Sequence, residues 1–182
     1  MHPTKSRPLA FFKQFLAHPR EVGAILPTSL RTARVMASPI RSTDRVLEMG
    51  AGTGTITEAI LERIEDPSQL TSVELDPELA KKFRTNYPNV HLVVGDAEEV
   101  LRNLSDTDAI ISGIPFTVMK KDKRERMFDL IKNRLSPTGV FVAIQYSLST
   151  RKALQSIFRS VEIRWSPLNV PPAFVYICRD PK

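Results

Sequence analysis

The sequence predicts an α/β protein: a mostly parallel, seven-stranded sheet with helices on both faces, an antiparallel hairpin at its carboxyl end and a helical extension at its amino end. Three observations lead there. From residue 46 onward, short apolar runs alternate with segments of helical periodicity, the pattern that builds parallel sheets from strand-helix-strand units. After residue 158 the alternation stops, and two apolar runs follow with only Ser-Pro and Pro-Pro turns between them. That connection is too short for a crossover helix, so the two strands are antiparallel. Finally, 182 residues allow one domain with a good core but not two of ordinary size.

The elements follow in order. Val46–Met49 is a short buried strand closed by Gly50, and a helix runs from Thr55 to about Ile64 on the spacing of Ile56, Ile60, Leu61 and Ile64. Leu70–Leu75 is the second strand. Pro77, a first-turn residue, opens a helix that ends near Tyr87-Pro88. Val90–Val94 is the third strand, Ala97–Leu104 a short helix, and Asp108–Ser112 the fourth strand. A charged helix occupies Lys121–Leu135, Ser136–Gly139 is a turn, and Val140–Tyr146 is a fifth, apolar strand. A helix near Thr150–Phe158 precedes the hairpin strands Val161–Trp165 and Phe174–Cys178. The division is an extension over 1–45 and a catalytic domain over 46–182.

Composition is that of an ordinary globular protein, 42% hydrophobic and 25% charged. The single cysteine, Cys178, excludes an internal disulfide and fits a reducing, cytoplasmic compartment. The basic start has too short an apolar run for a secretory signal, and no stretch nears the roughly 20 apolar residues that span a bilayer. The net charge of +6 is unevenly placed. Residues 1–45 carry eight basic side chains (Lys5, Arg7, Lys13, Arg20, Arg31, Arg34, Arg41, Arg45) against Glu21 and Asp44, so the remainder balances at zero. Such asymmetry points to a polyanionic partner, nucleic acid or an anionic lipid surface. Within this region Leu9, Phe11, Phe12, Phe15 and Leu16 form one face of a helical wheel with Lys13, Gln14 and Arg20 opposite. A short helix of that kind lies in a membrane interface or docks on its own domain. Thr28 or Ser29 then caps a following helix, which is expected to act as a lid over the site.

The densest motif is Glu48-Met-Gly50-Ala51-Gly52-Thr-Gly54, between the first strand and first helix. Glycines there let the backbone turn sharply and approach a ligand, with a spacing unlike the dinucleotide G-x-G-x-x-G fingerprint. The run resembles the first motif of S-adenosylmethionine-dependent methyltransferases. Glu74 ends the second strand twenty positions beyond Gly54, where an acidic residue receives ribose hydroxyls, and Asp96 follows the third strand, where a carboxylate accepts the adenine amino group. Three carboxylates at the ends of successive parallel strands mark the ligand edge of such a sheet.

The fourth strand ends in Ser112-Gly113-Ile-Pro115-Phe116. Enzymes that methylate nucleobase amines resemble one another in an Asn or Asp before such a Pro-aromatic pair. The amide reshapes a nitrogen whose lone pair is delocalised, and the ring stacks on the flipped base. Here the Pro-aromatic half is present and the Asn is missing. An aliphatic amine needs only to lose a proton, with an ordinary pKa near 10, and burial lowers that value. Phe116 is expected to line the pocket, and Tyr146, at the end of the fifth strand, to hold the cation by its ring face or orient the amine by its hydroxyl.

These stretches, with Phe11-Phe12 to Pro19, Val22-Gly23-Ala24 to Pro27-Thr28-Ser29, Gln145-Tyr146 and Pro171-Pro172-Ala173, resemble the bacterial phospholipid N-methyltransferases over nearly the whole chain. The resemblance implies a Rossmann-like class I fold and a monomer at the inner face of the cytoplasmic membrane. It implies methyl transfer from S-adenosyl-L-methionine to the amine of phosphatidylethanolamine and its mono- and dimethyl derivatives, S-adenosyl-L-homocysteine as product, and no metal. It assigns cofactor contacts to Glu48, Gly50, Ala51, Gly52, Gly54, Glu74, Leu75, Asp96, Ala97, Ser112 and Gly113. Catalysis falls to Tyr146, Ser112 and Phe116. Substrate or membrane contacts fall to Phe12, Phe15, Thr28, Ser29, Arg31, Arg34, Pro115 and Tyr146, the arginines drawing the head-group phosphate. The chain is also similar to the rRNA adenine dimethyltransferases in Leu47-Glu-x-Gly-x-Gly-x-Gly54. The missing Asn and the lack of a C-terminal helical domain count against that reading and against a nucleic-acid partner. A small-molecule amine methyltransferase is the third alternative.

Overall fold

In a computed structural model residues 28–182 are described. They form a seven-stranded sheet in the order β3-β2-β1-β4-β5-β7-β6. The strands are β1 (Val46–Met49), β2 (Leu70–Glu74), β3 (His91–Val94), β4 (Thr107–Ser112), β5 (Leu135–Gln145), β6 (Phe158–Ser166) and β7 (Ala173–Pro181). The first five pair in parallel, and β7 runs antiparallel to both β5 and β6, as expected. Among the described residues six α-helices cover the faces: α1 (Leu30–Ala37), α2 (Thr55–Leu61), α3 (Pro77–Asn86), α4 (Ala97–Asn103), α5 (Lys121–Arg134) and α6 (Arg151–Ile157).

Strand alternation sorts the core into two layers. On one face Val46, Ala109, Ile111, Val142, Ile144, Val175 and Ile177 pack under α1, α2 and α3, with Met36, Ile60 and Phe83 among the helix residues. On the other, Leu47, Met49, Ile110, Phe141, Tyr176 and Cys178 meet α4, α5 and α6 through Leu101, Phe128 and Leu154. Because α1 buries Ala33, Met36 and Ala37, residues 30–37 of the expected extension belong to the packed domain. Phe12 and Phe15 lie outside the described residues, so their expected membrane contact is left to experiment. No helix among the described residues is long and apolar enough to cross a membrane.

Two elements differ from expectation. The turn at Ser136–Gly139 is instead an irregularity within β5: between the pairs Thr107/Leu135 and Ala109/Val140, one residue of β4 faces four of β5. The hairpin strands are each longer than their apolar runs. As the edge strand, β6 exposes Arg159, Glu162 and Arg164, so its ends carry no apolar signal.

Candidate active site

Beside β1 the chain steps outward to β2 and β3 on one side and to β4 and β5 on the other. Ligands of open α/β sheets bind at such a switch point, beyond the strands' carboxyl ends. The glycine loop lies there, with Gly50, Gly52 and Gly54 at φ of 79°, 55° and 89°, a region that side chains strain to enter. A Cβ at Gly54 would run into the ring of Tyr87, whose hydroxyl donates to the Gly54 carbonyl at 3.0 Å. The N–H groups of Gly50 and Ala51 both donate to the Val73 carbonyl, which holds the loop against β2. Across the crevice, a Cβ at Gly113 would sit 3.0 Å from the Gly50 carbonyl oxygen, so the β1 and β4 loops approach only because glycine stands there.

The three carboxylates have distinct surroundings. Glu74 accepts from the Gly52 N–H at 2.7 Å and from the Asp76 N–H at 2.9 Å, which occupies two of roughly four lone-pair positions of a carboxylate. Glu48 lies mid-strand beneath the loop, fully buried. One of its oxygens accepts from Thr57 Oγ1 at 2.7 Å and Ser72 Oγ at 2.6 Å, while Oε1 has no hydrogen-bond partner. Burial pushes its pKa up to about 7, against the pull of the Ser72 and Thr57 hydroxyls. Its visible work is to tie β1, β2 and α2 together, so a direct cofactor contact is not what its packing displays. Asp96 caps α4 by accepting from Glu98 N–H, and pairs with Lys123 Nζ at 2.6 Å. Burial acts to raise its pKa, but Lys123 and the Glu98 N–H outweigh this and hold it below the usual carboxylate range.

Beside these groups the surface is open. Leu75 is 70% exposed immediately after Glu74, Val94 is exposed at the end of β3, and a Cβ on Gly95 would meet nothing within 4 Å. An apolar side chain left in water beside an open cradle and two carboxylates fits a nucleoside, and so fits S-adenosylmethionine. Ala97, expected on that rim, is buried as the first residue of α4.

The substrate side corrects several expectations. Phe116 is 1% exposed, its ring 4.9 Å from Phe128 and 6.1 Å from Phe141. A short helical turn over Phe116–Val118 directs it into the α5 layer, so it offers no face to a ligand. Ser112 is likewise fully buried, its hydroxyl accepting from the Ile114 N–H at 3.2 Å; it shapes the turn and does not reach a reacting amine. Pro115 is partly exposed on that turn. Arg34 is committed to a bidentate pair with Glu62 at 2.7 and 2.9 Å, whereas Arg31 is exposed and makes no ion pair among the described residues. Ser29, and not Thr28, caps α1, accepting from the Thr32 N–H.

Tyr146 packs against the opposite layer from Phe116, the one beneath α1 and α2. Burial pushes its phenol above 10, partly opposed by a hydrogen bond from Asn169. Asn169 had no motif to reveal it. It is fully buried, and its Oδ1 accepts from the Ser29 N–H at 3.0 Å while Nδ2 donates to the Pro171 carbonyl at 2.9 Å. One amide thus joins the start of α1, the β6–β7 turn and Tyr146. Gln145, also buried, donates through Nε2 to the Ile114 carbonyl at 2.9 Å and fastens β5 to the Ser112–Pro115 turn. A Pro-Pro pair after a polar residue hints at a turn in the sequence, but only three-dimensional pairing shows what Asn169 reaches.

The family described as a methyltransferase domain matches residues 46–139, just over half the chain. The chain belongs to that family. The methyltransferase draws its methyl group from S-adenosylmethionine. It is 29% identical over 183 aligned positions to an ornithine lipid N-methyltransferase of Singulisphaera acidiphila, covering 94% of this chain and 95% of that one. It is 33% identical over 120 positions to ribosomal RNA small subunit methyltransferase A of Chlorobaculum parvum, covering 64% of this chain but only 41% of the relative. In three dimensions it superposes on a precorrin-6y C5,15-methyltransferase of Geobacter metallireducens with a TM-score of 0.68 at 20% identity, over 84% of this chain and 89% of that one, a likeness of fold.

Proposed function

We propose that this methyltransferase transfers methyl groups to the aliphatic amine of a membrane lipid. The observation that carries the reading is the buried Phe116 beside a turn with no amide. A nucleobase needs a stacking face and a group to reshape its nitrogen, and among the described residues the turn after β4 presents neither. End-to-end similarity to an ornithine lipid N-methyltransferase supports it, whereas the ribosomal RNA relative shares only its 41%.

The glycine loop at Gly50, Ala51, Gly52 and Gly54 would receive the amino acid half of the cofactor. The free lone pairs of Glu74 would accept from the ribose, and Leu75 and Asp96 would border the adenine. When bound, S-adenosylmethionine would supply an electrophilic methyl carbon to the amine lone pair, the N–C bond forming as C–S breaks to leave S-adenosylhomocysteine and a methylated ammonium. The chain's own part is to orient and desolvate. With its pKa raised by burial, Tyr146 remains a neutral phenol: it accepts an N–H and fixes the lone pair in line without removing a proton. Its ring also faces the cationic product favourably. Burial of the head group lowers the ammonium pKa, so the proton leaves to water as the amine enters. Arg31 stands free to meet a phosphate or carboxylate near the head group.

The same chemistry serves phosphatidylethanolamine, its mono- and dimethyl forms, or an ornithine lipid. Label from S-adenosylmethionine is therefore followed into anionic vesicles holding one lipid or the other, and into added ribosomal RNA. Label in a lipid amine is expected; label in RNA alone overturns the proposal.

A further inference from the structure

We propose that the β6–β7 turn and the end of β5 form a membrane-docking surface that seats the open mouth of the site on an anionic bilayer. It rests on the lipid reading above, and adds a contact outside the amino-terminal helix. Register fixes its place: Gln145 pairs with Phe174, and Ser166 with Ala173, so residues 166–173 lie at the same sheet edge as Tyr146. On that edge stand Leu148, Trp165, Leu168 and Val170, exposed by 46%, 55%, 61% and 65%. Among them Asn169 turns inward to Ser29 and Tyr146. The turn thus has one buried polar residue aimed at the site and two apolar neighbours aimed at solvent, the reverse of an ordinary surface turn. Trp165, its ring 4.7 Å from Phe174, is the residue type that settles at membrane-water boundaries.

Charge selects the occupant. The exposed cations nearest this edge in the chain are Arg31, Arg151 and Lys152, whereas Arg164 is paired with Glu162. Arg151 and Lys152 come three and four positions after Leu148, Arg31 comes two after Ser29, and none of these three makes an ion pair among the described residues. Exposed apolar side chains with these three unpaired cations close in the chain suit an anionic lipid surface, from which a lipid substrate would reach this edge.

The test compares the full chain with L168E/V170E and R151E/K152E in sedimentation with vesicles of phosphatidylglycerol and phosphatidylethanolamine. Methylation of a short-chain phosphatidylethanolamine held below its micelle concentration, and cofactor binding, are measured alongside. L168E/V170E should lose vesicle affinity by at least about tenfold and keep methylation of the monomeric lipid. R151E/K152E should weaken binding to anionic vesicles and flatten its salt dependence. Unchanged vesicle binding in L168E/V170E overturns the surface. A lowered thermal midpoint with full vesicle binding also overturns it, since residues 1–27 or a second copy would then cover the patch. A parent chain that needs this surface for vesicles yet labels no lipid amine sinks the substrate reading and leaves the docking surface supported.

Discussion

Glu48→Gln should remove a pH dependence from folding stability that the parent protein shows between pH 4.5 and about 7. In the folded chain the carboxyl is buried with Oε1 unpartnered, and its pKa stands at about 7 against an ordinary 4.5. The folded state therefore holds a proton that the unfolded state has released. Stability from this group is fully present below 4.5 and is lost as the pH rises through about 7. The interval spans about 2.5 pH units, and at ~1.4 kcal/mol for each the loss is roughly 3 kcal/mol. Glutamine keeps an oxygen for Thr57 and Ser72 but never ionises, so its own cost is independent of pH. Denaturant unfolding of both proteins at pH 5, 6, 7 and 8 gives a difference in which the other carboxylates cancel. Relative to the parent, the variant should gain roughly 3 kcal/mol from pH 5 to pH 8. A difference flat to within about 0.5 kcal/mol would mean that the ionised carboxylate is stabilised beneath the loop, and the account of Glu48 would be wrong.

Gly54→Ala should cost at least about 2 kcal/mol, from a left-handed φ and a methyl driven into Tyr87; thermal melting and cofactor titration should both register it. Phe116→Leu should cost about 1–2 kcal/mol of core packing and leave kcat of the folded fraction near that of the parent. A hundredfold loss of kcat at unchanged stability would put Phe116 back at the substrate. Asn169→Ala strands the Ser29 N–H and removes the amide beside the Tyr146 hydroxyl, at about 1–3 kcal/mol for the orphaned N–H. Its kcat should fall about tenfold with cofactor KM unchanged, and it should not add to Tyr146→Phe.

The sheet was readable because its strands are buried on both faces: Val46–Met49 and Val140–Gln145 are largely apolar runs with little alternation, which parallel central strands require. The cofactor end was readable because its demands are local, three glycines and a carboxylate at fixed offsets. The substrate end was not. A Pro-Phe pair after a strand reads the same whether its ring turns outward or back, and what turned Phe116 back was a pocket between Phe128 and Phe141 contributed by α5 and β5. Nor does the sequence around Arg34 show that Glu62, 28 residues away, neutralises it with two hydrogen bonds.

That failure carries information about the substrate. Had Phe116 and Tyr146 faced one cavity, a flat base could have been clamped between them; they occupy opposite layers instead. Among the described residues Tyr146, at the end of β5, then lies on the α1 side, beside a buried amide from the far end of the chain. A single partly buried ring with a neutral hydroxyl suits a compact, freely rotating head-group amine. Such a group needs a direction for one lone pair and a wall for the charge it acquires, not a slot. The amide missing from β4 is thus supplied by Asn169, whose partner is the protein and not the nitrogen to be methylated, and a site of that design would gain nothing from the asparagine at position 112 that a nucleobase enzyme requires.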